Sequence, residues 1–167
     1  MTTAAGINKD LVSTTQQAPL GFQLSVPTAD GGVDIYTYVK AGIAIPLGYV
    51  GAKTPTATDH KGYGTIIPAG AAMADHAYVG VAQQPARAGV AAGGLDAGEY
   101  GFVLTRGNGT VHLLTASAMN AALTVVGVAG KMDDAPAIVT NGEMGKVNFT
   151  PTTGANELTQ ASVSFPG

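Results

Sequence analysis

Two Asp-His dipeptides, Asp59-His60 and Asp75-His76, are the residues of this chain best suited to chemistry. A carboxylate beside an imidazole can orient the ring for base catalysis or for metal binding. Adjacent residues of an extended chain point to opposite faces, however, so neither dipeptide is a ready-made catalytic pair. Histidines in loops are more often solvated polar groups, and this is the interpretation that the sequence favours.

Metal binding has little support in the spacing of the possible ligands. A zinc site needs several converging ligands, and the histidines, without any cysteine, show no such spacing. Asp133-Asp134 could offer oxygen ligands to Ca²⁺, but the residue spacing of an EF-hand is absent and a solvated turn explains the pair better. We therefore predict no metal and no cofactor.

Nucleophilic catalysis also lacks a candidate residue. The absence of cysteine excludes thiolate enzymes and disulfides. Arg106-Gly107-Asn108-Gly109 is too short for a phosphate-binding loop and has no lysine, so we interpret it as the tip of a hairpin. No serine occupies a Gly-x-Ser-x-Gly elbow; the serines are Ser13, Ser25, Ser117, Ser162 and Ser164. We expect no catalytic residue and no enzymatic activity.

The composition points to a protein that works inside an assembly. Charged residues make up 11% of the chain and the hydrophobic class 46%, whereas soluble domains carry roughly 25% charged residues. We infer that much of the surface faces other protein rather than water. The net charge of −3 and the scarcity of arginine do not favour direct nucleic-acid binding.

The ends of the chain carry no targeting signal that we recognise. The N-terminus has no cationic start followed by an apolar block, so no secretory signal is predicted. No apolar run approaches the ~20 residues of a membrane span, so no membrane partner is expected. We therefore expect a chain that is made in the cytoplasm and kept whole.

Alternating apolar and polar residues predict a series of short strands. The alternation begins at residues 22–26, stops at a turn signal at 27–32 and returns at 33–39, where Tyr36 and Tyr38 share one face. Further strands are predicted around residues 43–45, 47–50, 65–67, 77–82 and 98–114.

Asn-Gly dipeptides predict two hairpins. Asn108-Gly109 suits a two-residue type I′ turn, with the register Arg106 to Val111, Thr105 to His112, Leu104 to Leu113 and Val103 to Leu114. His112 would then be an ordinary sheet residue. Both faces of this hairpin carry apolar pairs, which indicates cover on both sides, one of them by a neighbouring subunit. Asn141-Gly142 predicts a second hairpin within residues 137–149.

One segment, residues 115–123, has helical composition, with Thr115 or Ser117 as its N-cap. Residues 1–21 and 150–167 are polar and lack a core of their own. We therefore predict an all-β domain at 22–149, a small β-barrel or β-sandwich of short antiparallel strands with one short helix. Extended terminal arms at 1–21 and 150–167 flank it.

Small residues dominate the connection at 83–98, in which Arg87 and Asp96 are the ionisable side chains. An enzyme usually concentrates reactive groups in such a loop. A loop with so few bulky or charged side chains is better suited to being overlaid by a neighbouring protein, because little charge is desolvated.

Four short motifs carry a resemblance to a known family: AGIAIPLG at 41–48, GVA at 80–82, AGEYGFV at 97–103 and TRG at 105–107. In this order they resemble the capsid decoration, or cement, proteins of tailed bacteriophages, over roughly residues 40–131. The resemblance implies a β-rich protein on the outside of an icosahedral head, commonly a homotrimer, that clamps neighbouring capsomers. It implies the major capsid protein as partner and the outer surface of the virion as location.

Two other functions stay open. A virion fibre or host-glycan binding module could stack sugars on Tyr36, Tyr38, Tyr49 and Tyr100, although aromatic residues are only 6% of the chain and Trp is absent. A β-barrel hydrolase or nucleotide-binding enzyme would use the two Asp-His dipeptides.

Overall fold

A computed structural model describes residues 7–53, 65–69, 78–90, 92–117, 121–125, 130–134, 143–148 and 157–165. Over these residues the protein is built of strands and contains no helix, which confirms the prediction of an all-β fold. The strands are β1 (Val12–Ser13), β2 (Gln23–Pro27), β3 (Val33–Ala41), β4 (Val50–Lys53), β5 (Thr65–Pro68), β6 (Tyr78–Ala82), β7 (Tyr100–His112), β8 (Ala122–Val125), β9 (Met132–Asp133), β10 (Gly145–Val147) and β11 (Leu158–Ser164).

The strands form one mixed sheet in the order β2-β3-β5-β4-β6-β7-β11-β10-β8-β9, with β1 paired to β7. An additional pairing joins β3 to β7, so the run from β3 through β5, β4 and β6 to β7 closes into a ring. Consecutive residues of β3 contribute to two separate hydrophobic clusters, Tyr38 to one and Val39 to the other. Both faces of this strand are therefore covered at these residues.

The predicted turn between the first strands is confirmed. The Thr28 N–H donates to the Gly32 carbonyl at 3.0 Å, and Gly31 supplies the positive φ of 86° that the turn requires. The register then pairs Leu24 with Tyr36 in an antiparallel β2–β3 hairpin.

The predicted hairpin at Asn108-Gly109 is wrong, because β7 runs straight through these residues. Asn108 pairs with Ser162 and Gly109 with Ala161 in β11, and His112 faces Leu158 rather than Thr105. Gly109 serves close packing instead of a turn, since a Cβ at this position would collide with the Leu104 side chain. A partner strand far along the chain has overridden the local turn signal.

The predicted helix at residues 115–123 is also not formed where the structure describes it. Thr115–Ser117 are not helical, and Ala122 and Leu123 already belong to β8. A helix of this length is marginal by itself. The competing arrangement buries Leu123 completely and pairs it with Gly145 of β10.

The terminal segments contact the same sheet. Residues 158–164, assigned from the sequence to a tail, form β11 between β7 and β10. Near the other end, Val12 pairs with Gly101, Ala18 is buried, and the Gln17 N–H donates to the Tyr38 hydroxyl at 3.0 Å. The second predicted hairpin, at Asn141-Gly142, lies outside the described residues.

Candidate protein-interaction surface

The described part of the chain includes only some of the residues that suggested chemistry. Asp59-His60 and Asp75-His76 lie outside it. Within the described ranges, no group of three or more His, Asp and Glu side chains could hold a metal ion. The Asp-His dipeptides therefore stay a sequence-based hypothesis.

Asp133 lies buried in β9 and not in the solvated turn expected from the sequence, because its carboxylate has a structural role there. Its carboxylate accepts a hydrogen bond from the Thr115 hydroxyl at 2.6 Å and one from the Asp134 N–H at 2.8 Å. The residue is 4% exposed. A buried carboxylate is tolerated when hydrogen bonds compensate its desolvation, and these bonds tie residue 115 to β9.

His112 packs against an aromatic ring instead of facing an open cleft. Its ring meets Tyr49 edge to face at 4.9 Å between centroids, and Nδ1 lies 3.1 Å from the Leu113 carbonyl oxygen. Burial lowers the pKa of His112 because it disfavours the imidazolium, the Leu113 carbonyl opposes this shift, and the Lys131 ammonium adds to it. The neutral ring is thus part of the packing.

The tyrosines are largely used inside the fold. Tyr38 is fully buried, where it stacks on Tyr100 at 6.2 Å and contacts Phe102 at 5.0 Å. Burial, with Asp34 and Asp10 nearby, raises the pKa of Tyr36 to about 12. Tyr36 and Tyr38 therefore offer no exposed face on which a sugar could stack.

The loop at residues 83–99 is held in one shape by a polar clamp. The Arg87 guanidinium contacts the Glu99 carboxylate and donates to the Gly94 carbonyl at 2.6 Å. The same carboxylate accepts the Asp96 N–H at 2.7 Å. Arg87 and Val90 close the tip by reciprocal backbone hydrogen bonds of 3.2 and 2.9 Å. Both charges are half-buried, so the pair orders the loop.

One half of this loop packs against its own chain. Leu95 and Ile45 exchange backbone hydrogen bonds of 2.8 and 2.9 Å, and Gln84 is buried with its amide bonded to the Phe102 carbonyl. Gly94 adopts a φ of 86°, and a Cβ there would collide with the Ile45 carbonyl oxygen. Among the described residues, the uncharged ones left exposed near the tip include Pro85, Ala86, Ala88, Gly89 and Ala92.

A second surface is formed by alternate residues of β7, β11 and β10, together with Asn148 just after β10. We call it the polar face and define it as Arg106, Asn108, Thr110, Lys146, Asn148, Gln160, Ser162 and Ser164. Cross-strand pairing places Arg106 beside Ser164, and Thr110 beside Gln160. The intervening residues Ala161 and Val163 are buried in the core on the other side.

The side chains in the centre of the polar face hold each other in place. Ser162 Oγ donates to Asn108 Oδ1 at 2.7 Å and lies 2.9 Å from Asn148 Oδ1. The Asn148 amide donates to Asn108 Oδ1 at 2.9 Å, and the Gln160 amide to the Thr110 hydroxyl at 3.0 Å. Such mutual bonds fix the rotamers before any partner arrives.

Two open clefts flank Ser162 on this face. One, of about 300 Å³, is lined by residues that include Glu143, Lys146 and Asn148. The other, of about 290 Å³, is lined by residues that include Asp34 and Arg106.

Arg106 carries the one charge of the polar face that stays unpaired with the rest of the described chain. Its side chain is exposed and makes no ion pair or hydrogen bond with another described residue. Asp34, across the cleft, accepts the Asn108 N–H at 3.1 Å. The Thr28 hydroxyl, followed by the Gly32 N–H, lowers the pKa of Asp30 on the same rim. A free guanidinium among fixed amides and hydroxyls suits a partner's carboxylate or backbone carbonyls.

The polar face was not predicted from the sequence because Asn108-Gly109 was interpreted as a hairpin turn, which would divide β7 into two strands. The signal was present in the alternation of polar residues at 106, 108 and 110 and again at 160, 162 and 164. Period-two polarity predicts one solvated sheet face.

Comparison with protein-family models and with curated proteins finds no match to this chain. The described residues also include no helix with the length and hydropathy to cross a membrane.

Proposed function

We propose that this chain is a structural protein of a tailed-phage head, a decoration or cement protein that binds the outer surface of the capsid. It contacts the major capsid protein and clamps neighbouring capsomers. Because it binds the mature shell in preference to other states, it stabilises that shell by mass action.

The observation that carries this proposal is the packing of the motifs that resemble the family. GVA at 80–82 lies in β6, and AGEYGFV and TRG contribute to β7, where Val81 pairs with Leu104 and Ala82 with Val103. The early motif joins them by backbone hydrogen bonds: the Ala41 N–H donates to the Glu99 carbonyl at 2.8 Å, and the Gly48 N–H donates to the Ala82 carbonyl at 2.9 Å. Motifs that are separate in sequence thus form one folded unit, and this supports the proposal.

The surfaces support a protein partner more than a small substrate. The clamped loop presents small uncharged residues, and the polar face presents preformed hydrogen-bonding groups with Arg106 at its edge. Rigid surfaces of this kind lose little entropy on binding. Weak contacts repeated over a lattice add up through multivalency. The glycan-binding alternative has less support because Tyr36 and Tyr38 are buried.

The direct test is binding to heads prepared without this chain, from the phage whose genome encodes it. We expect saturable co-sedimentation of the purified protein, and at least a tenfold loss of affinity, about 1.4 kcal/mol, for Arg106→Ala. Lys9→Ala removes the same charge outside the polar face and should bind like the unaltered protein.

Both variants replace exposed side chains, so their unfolding midpoints should match that of the unaltered protein. Equal binding by Arg106→Ala would exclude the polar face as the contact. No binding by the unaltered protein would refute the proposed function.

A further inference from the structure

Strand β2 lies at one end of the sheet and pairs with β3 alone among the described strands. Its sequence, Gln-Leu-Ser-Val-Pro, contains no charged residue. Proteins usually protect an edge strand by charge, by brevity or by proline. Here the protection is confined to Pro27 at the end of the strand.

The alternation of hydrogen bonds along the β2–β3 pair determines which backbone groups of β2 face outward. The Tyr38 N–H donates to the Phe22 carbonyl at 2.8 Å, and the Thr28 N–H donates to the Gly32 carbonyl at 3.0 Å. Because antiparallel pairs alternate, the even-numbered residues 24–28 and the Phe22 carbonyl direct their groups to β3, while the Phe22 N–H donates to the Pro19 carbonyl at 3.0 Å. Gln23 and Ser25 therefore direct both N–H and C=O away from the sheet, and Pro27 directs its carbonyl outward.

We propose that this edge pairs with β2 of a second copy of the chain, antiparallel about a two-fold axis at Ser25. The outward groups are self-complementary in this register. Each Ser25 N–H donates to the carbonyl of Ser25 of the partner subunit. Each Gln23 N–H donates to the carbonyl of Pro27 of the partner subunit.

The side chains fit the same arrangement. Leu24 and Val26 are half-buried at the edge of the core. In this register Leu24 lies opposite Val26 of the partner subunit, and Val26 lies opposite Leu24 of the partner subunit. Such apolar cross-strand pairs stabilise a sheet, and no like charges oppose each other along β2. Pro27 has no N–H, so the ladder ends there and the contact closes as a pair.

This contact is independent of the proposed shell binding, which uses other residues. It relates two copies, so it is separate from the contacts of the homotrimer that the resemblance implies. If trimers form, it would join one trimer to the next.

Substitutions that place a positive or a negative charge at Ser25 test the proposal. On the two-fold axis Ser25 meets itself, with Cβ atoms about 5 Å apart, so Ser25→Lys and Ser25→Glu should each repel their own copies. We expect sedimentation velocity to show a self-association step for the unaltered protein, weakened at least tenfold in each variant alone. Mixing the two variants should restore the step, while Ser25→Thr, which keeps the edge neutral, should retain it.

Ser25 is exposed and its outward N–H is not used by β3, so the variants should unfold like the unaltered protein. Three results would overturn the proposal: no self-association up to about 1 mM, undiminished association of Ser25→Lys and Ser25→Glu, or a mixture that associates no better than either variant alone.

Discussion

At the scale of single residues, two glycines of the 83–99 loop allow two costs of substitution to be compared. One is the backbone strain of a positive φ, and the other is the collision of an added Cβ with neighbouring atoms. Gly94 and Gly89 both have a positive φ, 86° and 84°. A Cβ added at Gly94 would collide with the Ile45 carbonyl oxygen, whereas a Cβ added at Gly89 would enter open space. We expect Gly94→Ala to lower the free energy of unfolding by about 3 kcal/mol, because strain and collision add. Gly89→Ala should cost about 1 kcal/mol.

Urea denaturation of the two alanine variants measures this difference. A cost for Gly94→Ala that is no larger than that for Gly89→Ala would contradict the packing of the loop against Ile45.

His112 should make stability depend on pH in a defined direction. Its pKa is lower in the folded protein than the ordinary value of 6.5. The unfolded chain therefore takes up more protons as the pH falls through 6.5. The contribution of His112 to the free energy of unfolding is complete above that pH and is lost below it.

The matching measurement compares the unaltered protein with His112→Gln between about pH 7 and pH 5. The variant should lose less stability over this interval. Parallel pH profiles would show that the imidazole titrates alike in both states.

At the scale of elements, β11 provides the clearest test of the sheet. Ala161 is buried and its neighbour Ser162 lies on the polar face. Ala161→Lys should lower the free energy of unfolding by more than about 3 kcal/mol, because the charge is desolvated without a partner. Gln160→Lys, one residue before Ala161 and also on the polar face, replaces an exposed side chain and should change it by no more than about 1 kcal/mol. Similar small effects of both substitutions would indicate a solvated tail instead of a strand.

The clamp of the 83–99 loop should be visible in hydrogen exchange. Glu99→Ala removes the carboxylate that holds both Arg87 and the Asp96 N–H, so we expect roughly tenfold faster exchange at the Val90 and Asp96 amides. Glu143→Ala breaks the exposed pair with Lys146 and should leave this loop unchanged. Unaltered exchange after Glu99→Ala would mean that backbone packing alone orders the loop.

The elements also show which parts of the fold the sequence could predict. The β2–β3 hairpin was predictable because its turn and both strands are adjacent in the chain. The continuity of β7 was not, because Asn108-Gly109 is a strong local turn signal and its strand partner, β11, lies far along the chain. For the same reason, local propensity in residues 115–123 suggested a helix where pairing with β10 forms a strand.

At the scale of the whole molecule, the alternation of apolar and polar residues and the turn signals predicted the all-β class, and residue type alone could not predict the candidate surface. The polar face exists because three strands separated in sequence lie side by side, and their polar residues then share one side. The low charge content is consistent with a protein that meets other proteins over much of its surface.

The temperature at which packaged DNA leaves the head tests the central proposal most directly. Heads prepared without this chain should release their DNA at a higher temperature after the purified protein has been added to saturation, because binding favours the intact shell. The same release temperature with and without saturating protein would contradict a stabilising role on the capsid.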